Sequence, residues 1–195
     1  MLYFTSDIHF SDTETFNIER RPFKNVQDFD KQIIKLWNKT MTENDTLYVV
    51  GDLLDCDGKE SMGWEQTIKY IKKIKPQIIL IIGNNEQRII DCFFDGDFNK
   101  FRDYCLSNGI SEVVENLELE LDGIKFYLTH EPKDYKKGYI NLCGHLHRSR
   151  GLWYSFGLNM SCDLNHFRPY TKEELFFILS QKEKFYANDK NFKVI

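Results

Sequence analysis

Hydrophobic and polar positions follow two different rhythms along this chain. In the first half, short apolar runs at Leu2–Ser6, Thr46–Val50 and Gln77–Ile82 alternate with stretches whose apolar residues recur every three or four positions. Apolar runs of that length predict buried strands, and the second and third end on turn residues, Gly51-Asp52 and Gly83-Asn84. Val26, Phe29, Ile33 and Trp37 predict an amphipathic helix with Asn25 as its N-cap. Trp64, Ile68 and Ile71 predict a second helix, closed by Pro76, and Phe98, Phe101 and Cys105 a third, ending near Asn108-Gly109.

The second half changes character. Leu117, Leu119 and Leu121 alternate with acids, Asp122-Gly123 follows, and Ile124, Phe126 and Leu128 alternate again, which is the pattern of a β-hairpin. Tyr139–Cys143 is another short apolar run. Thr171-Lys172-Glu173-Glu174 predicts a capping box that opens a C-terminal helix. The polar, mixed-charge tail from about Lys182 predicts a last strand or a loose end. With no internal repeat and no Pro/Gly-rich linker, one domain over residues 1–195 is expected. Strand–helix alternation followed by hairpins predicts an α/β (α+β) fold of mixed sheet, single or as two packed sheets, flanked by helices.

Composition narrows the function. The chain has 195 residues, 42% hydrophobic and 29% charged, with net charge −4, which excludes wholesale disorder. A net negative charge disfavours coating of nucleic acid, which rests on Lys and Arg, and leaves open a nucleotide held by a local positive charge such as a metal. No apolar run reaches the ~18–20 residues of a membrane span. Met1–Asp7 lacks the basic and long apolar regions of a signal peptide. Cys56, Cys92, Cys105, Cys143 and Cys162 are odd in number and never spaced CxxC, so reduced thiols and a cytoplasmic location are expected.

The chemistry-bearing residues fall at the ends of the predicted strands. Asp7 and His9 follow the first, Asp52 the second, Asn84 the third, His130 the hairpin, and His145 and His147 the next run. In an open α/β sheet such ends line one crevice, where ligands bind. Of the five histidines, only His166 lies outside these positions. Singly, each of these is an ordinary turn or loop residue; together and in this order they form a donor set for a dinuclear metal site.

The series Asp7-Ile8-His9, Gly51-Asp52, Gly83-Asn84-Asn85-Glu86, His130 and Gly144-His145-Leu146-His147 resembles the calcineurin-like metallophosphoesterases, whose pattern is DxH, GD, GNH(D/E), H and GHxH. Arg20-Arg21-Pro22-Phe23 and Asp163–Pro169 look like a small bacterial and phage branch of that family. The resemblance implies two packed mixed sheets with helices outside. It implies one metal held by Asp7, His9 and His147, another by Asn84, His130 and His145, and Asp52 bridging them. A metal-bound hydroxide would then be the nucleophile in hydrolysis of a phosphodiester or phosphomonoester. Carboxylate, amide and imidazole donors suit two divalent transition metals (Mn, Fe, Ni or Zn) better than Ca or Mg.

One position departs from the pattern. The histidine that the family carries after the motif Asn, implied to be catalytic as a general acid, is Asn85 here. An amide donates a hydrogen bond but not a proton, and loss of a general acid costs ~10²–10⁴-fold. Arg20, Arg21 and Arg88 are candidate substrate-binding cations, while Asp12 and Asp55 are candidates for orienting the histidines and Glu86 for capping beneath the site. The expected partner is a small phosphate ester or nucleotide-like molecule. The alternative is a metal-binding scaffold or interaction protein of the same fold, with Asn85 marking weakened catalysis.

Overall fold

The computed structural model describes residues 1–56, 63–154 and 157–186. Its elements run β1 (Leu2–Thr5), α1 (Thr13–Ile18), α2 (Val26–Thr40), β2 (Thr46–Val50), α3 (Gly63–Ile71), β3 (Gln77–Ile81), α4 (Asn84–Phe93), α5 (Phe98–Ser107), β4 (Glu112–Val114), β5 (Leu117–Leu121), β6 (Ile124–Leu128), β7 (Ile140–Cys143), β8 (Trp153–Tyr154), β9 (Gly157–Asn159), β10 (Tyr170–Thr171) and α6 (Lys172–Tyr186). Two mixed five-stranded sheets form, ordered β10-β1-β2-β3-β4 and β5-β6-β7-β9-β8. In the first, β1 to β4 are parallel and β10 returns antiparallel against β1. In the second, β6, β7 and β9 are parallel, with β5 and β8 antiparallel at the edges.

The apolar runs of the first half read as continuous because those strands are covered on both faces. Tyr3, Leu47, Val49, Ile78 and Leu80 point to a helical layer of Phe29, Ile33, Trp37, Trp64, Ile68, Ile90 and Phe101. Their neighbours Phe4, Tyr48, Val50 and Ile81 point the other way, onto Phe126, Leu128, Leu142 and Leu158 of the second sheet. Each such side chain contributes roughly 1.5–3 kcal/mol by leaving water. The Trp37 indole N–H is satisfied at the Phe167 carbonyl, 3.0 Å away.

Local signals explain most boundaries. Asn25 accepts from the Asp28 N–H and starts α2. Thr171 and Glu174 exchange side-chain and backbone bonds at the start of α6, the expected capping box. Asp122 and Gly123, with φ of 49° and 80°, turn β5 into β6 with Leu121 opposite Ile124. The tail is a correction: α6 continues past Lys182 to Tyr186, because Lys, Glu and Gln are good helix formers even without an apolar stripe. Residues 187–195 lie outside the described residues. The five cysteines are unbridged. No helix among the described residues is long and apolar enough to cross a membrane.

Asp30 on α2 is a buried charge that the sequence pattern conceals. Its carboxylate accepts from the Ser11 N–H (3.1 Å) and hydroxyl (3.0 Å). Burial pushes its pKa up to about 6, only partly opposed by those bonds and the Arg21 charge. The unfolded chain therefore releases this proton at lower pH than the folded one, and stability falls as pH rises from about 4 to about 6. Asp30→Asn keeps an acceptor for the Ser11 N–H, and we expect it to gain about 2 kcal/mol at pH 7 and nothing near pH 4. Urea unfolding of both proteins at the two pH values checks this; an equal effect at both would refute it.

Candidate metal centre

Because β1, β2 and β3 are parallel, as are β6 and β7, their C-terminal ends lie at one edge of the molecule. Among the described residues, the two sheets are stitched together there by one isolated bridge, Ser6 to Ser161. The Ser6 N–H donates to Met160, and the Cys162 N–H donates to Ser6. The residues singled out in the sequence converge at this edge. Asp52 Oδ2 is 3.5 Å from His9 Nε2 and 3.3 Å from His130 Nε2. Asn84 Oδ1 is 3.1 Å from His130 Nε2 and 2.9 Å from His145 Nδ1. Asp7 Oδ1 accepts from the His145 N–H at 2.8 Å and lies 4.0 Å from His147 Nε2. Two donor groups, Asp7–His9–His147 and Asp7–Asp52–His130, each bring their ligand atoms within 4.8 Å of one another.

The backbone that aims these side chains is strained. Asp7, His9, Asp52, His145 and His147 all have positive φ, between 44° and 68°. For non-glycine residues this left-handed conformation costs about 1–2 kcal/mol each. At Asp7, His9 and Asp52 it persists because bonds between the loops after β1 and β2 over-determine it: the Asp7 N–H donates to Gly51, the His9 N–H to Asp52 and the Phe10 N–H to Leu53. Gly51, at φ +83°, must be glycine, since a Cβ there would collide with the His130 ring. Gly83 is required for a different reason, a Cβ meeting the Asp52 carboxylate and its N–H.

Beneath the site lies the completely buried Glu86. One carboxylate oxygen accepts from the N–H groups of Leu53 (3.0 Å) and Leu54 (2.9 Å). The other accepts from Asp52 (2.9 Å) and Gly83 (2.8 Å). Burial and the Asp52 charge push its pKa up, while these donors pull it down.

The histidines are oriented by what stands behind them. His9 turns Nδ1 to Asp12 Oδ2 at 3.1 Å, and Asp12 also caps α1 through the Thr15 N–H. Burial would raise Asp12, but His9 and Thr15 outweigh it and bring it to about 2. His130 donates from Nδ1 to the Val50 carbonyl at 2.9 Å. Burial opposes its charge, yet the Asp52 hydrogen bond and the charges of Asp52 and Asp7 push it up to about 10. Burial acts against Asp52 as well, and His130 and His9 hold it well below the usual carboxylate range. His9 Nε2 is buried and has no hydrogen-bond partner.

His9, Asp52, Asn84, His145 and His147 open onto a cavity of about 590 Å³ walled by α1 (Glu14, Thr15, Ile18) and α4 (Arg88, Cys92). Asn85 lines it, its N–H donating to Asp52 Oδ1 at 3.0 Å and its Nδ2 lying 3.4 Å from His9 Nδ1. Of the three arginines expected to bind substrate, Arg88 lines the cavity, while Arg20 is exposed and does not. Arg21 is a correction: its side chain is fully buried against Asp163, with no face left for a substrate. His166 is exposed and also outside the lining. No apolar period announces α1 as a wall of the cavity, since Thr13–Ile18 has no buried residue.

The family model of calcineurin-like phosphoesterases matches residues 2–191. An uncharacterized protein of the archaeon Methanocaldococcus jannaschii is 26% identical over 178 residues, 86% of this chain and 85% of that protein. Among solved structures, a protein of unknown function from Aquifex aeolicus superposes with a TM-score of 0.63 at 20% identity, covering 91% of this chain and 98% of that one. That likeness is one of fold.

Proposed function

Because the chain belongs to the calcineurin-like phosphoesterases, we propose that it hydrolyses a phosphodiester using two divalent transition-metal cations. Asp7, His9 and His147 would hold one, Asn84, His130 and His145 the other, and Asp52 would lie between them. The observation that carries this reading is His9 Nε2, buried without a hydrogen-bond partner and facing the Asp52 carboxylate. A buried polar atom without a partner is costly, and a cation satisfies both it and the carboxylate. The set of carboxylate, amide oxygen and imidazole fits borderline divalent ions. When bound, such cations supply Lewis acidity to the phosphoryl oxygens and lower the pKa of water toward ~7.

The protein's own residues do the rest. Asp12 and the Val50 carbonyl fix the rings of His9 and His130, so their Nε2 atoms face the centre. Arg88 is the one Lys or Arg among the described cavity-lining residues, which suits the single charge of a diester better than the double charge of a monoester. The space between α1 and α4 takes the second ester arm, so the substrate is small or nucleotide-like. Asn85 donates a hydrogen bond to a phosphate oxygen but no proton to the leaving group. That same residue supports the second reading, a metal-binding scaffold.

Reconstitution of metal-free protein with Mn, Ni, Zn or Mg, assayed on bis-p-nitrophenyl phosphate and p-nitrophenyl phosphate, separates the two. We expect diester turnover with transition metals. Two bound cations with no turnover of either ester would favour the scaffold. Asn85→His restores a proton donor and is expected to raise turnover of alkyl diesters by about 10²-fold, with a smaller gain on aryl esters. No gain on the alkyl diester, with metals bound, would refute that role.

A further inference from the structure

The two proposed cation positions are not braced alike. Behind His130 stands a main-chain carbonyl. Behind His147 stands a charged assembly. His147 Nδ1 meets Asp163 Oδ2 at 3.0 Å, and Nε2 faces Asp7. Asp163 pairs with Arg21 through two parallel bonds, Nε to Oδ1 and Nη2 to Oδ2, each 3.0 Å. The same guanidinium donates from Nη1 to the Ile8 carbonyl (2.6 Å) and from Nη2 to the Asp7 carbonyl (2.7 Å). It lies 4.6 Å from the Phe29 ring centroid and 5.9 Å from that of Phe167.

We propose that Arg21 and Asp163 are positioning residues chiefly for one cation position, the one formed by Asp7, His9 and His147. This inference rests on the metal reading above. A carboxylate behind an imidazole keeps the proton on Nδ1 and leaves the Nε2 lone pair free for a metal. The planar guanidinium fork joins that carboxylate to the main chain of Asp7 and Ile8, where the left-handed turn at φ 57° sets the direction of the Asp7 side chain. One arginine thus fixes two ligands that are 140 positions apart in sequence, Asp7 and His147. It makes no bond to Asn84, His130 or His145. The Asp163–Pro169 segment thereby acquires a role that its sequence alone leaves blank.

Titration of metal-free protein with Co²⁺, followed by visible absorbance and by calorimetry, tests this without any turnover. The wild type should bind two equivalents. Asp163→Asn and Arg21→Lys should each weaken one equivalent by about 10–100-fold and leave the other within twofold. Asn84→Ala should weaken the complementary equivalent. Arg21→Lys keeps the charge opposite Asp163, so it serves if Asp163→Asn does not fold. Two unaltered equivalents in both variants, or uniform weakening of both equivalents, would overturn the proposal. A wild type that binds no Co²⁺ would refute the metal reading itself.

Discussion

Replacing Asp52 by Asn is expected to lower metal-dependent diester turnover by about 10³-fold and to abolish high-affinity binding of at least one cation. The carboxylate does two things at once. Its Oδ1 accepts the Asn85 N–H, and its Oδ2 lies within 3.5 Å of the Nε2 atoms of His9 and His130. An amide retains the bond to Asn85 but carries no charge to share between cations. The fold should survive, since the N–H of residue 52 remains held by Glu86. Turnover of bis-p-nitrophenyl phosphate across a metal titration reads the effect. A variant within tenfold of wild type at saturating metal would contradict the bridging role proposed for Asp52.

The largest expected effect on stability is at Glu86. Truncation to Ala removes the acceptor of four buried N–H groups, those of Asp52, Leu53, Leu54 and Gly83. Unsatisfied buried donors cost about 1–3 kcal/mol each, and partial relaxation reduces the sum. We expect a loss of about 4–5 kcal/mol, or on the order of 10 °C in Tm for a chain of this size. Glu86→Gln has one oxygen and one amide group facing the same donors, and should lose about half as much. Thermal unfolding of the metal-free proteins isolates this from any effect on cations. A loss below 1 kcal/mol for Glu86→Ala would show that the four bonds do not hold the turn after β2.

Much of this architecture was legible in the sequence, for identifiable reasons. The central strands and α2 were written in apolar periodicity, and the hairpin in Asp122-Gly123. The convergence at one edge followed from placing donors after strands. α4 was not legible, because it begins within the Gly83-Asn84-Asn85-Glu86 series and buries only Ile89 and Ile90 as apolar residues. Short β8, β9 and β10 carry two or three residues each, too few to show a period. Arg21 misled for a physical reason. Its charge suggested a phosphate contact, and nothing local reveals that its partner, Asp163, lies on a turn 142 residues away.

The two sheets meet through an interdigitated layer of Phe4, Val50 and Ile81 against Phe126, Leu128 and Leu142. Asp7, Asp52 and Asn84 ride on one sheet, and His130, His145 and His147 ride on the other. The thickness of that apolar layer is therefore a ruler for the gap across the centre. Interiors are close-packed, so one methylene more or less in the layer is felt as a small displacement of one sheet against the other. Selection for a new ester would accordingly reach this protein through residues that never meet the substrate. Libraries built on Val50, Leu128 and Leu142 would explore that spacing while leaving every polar group of the site in place.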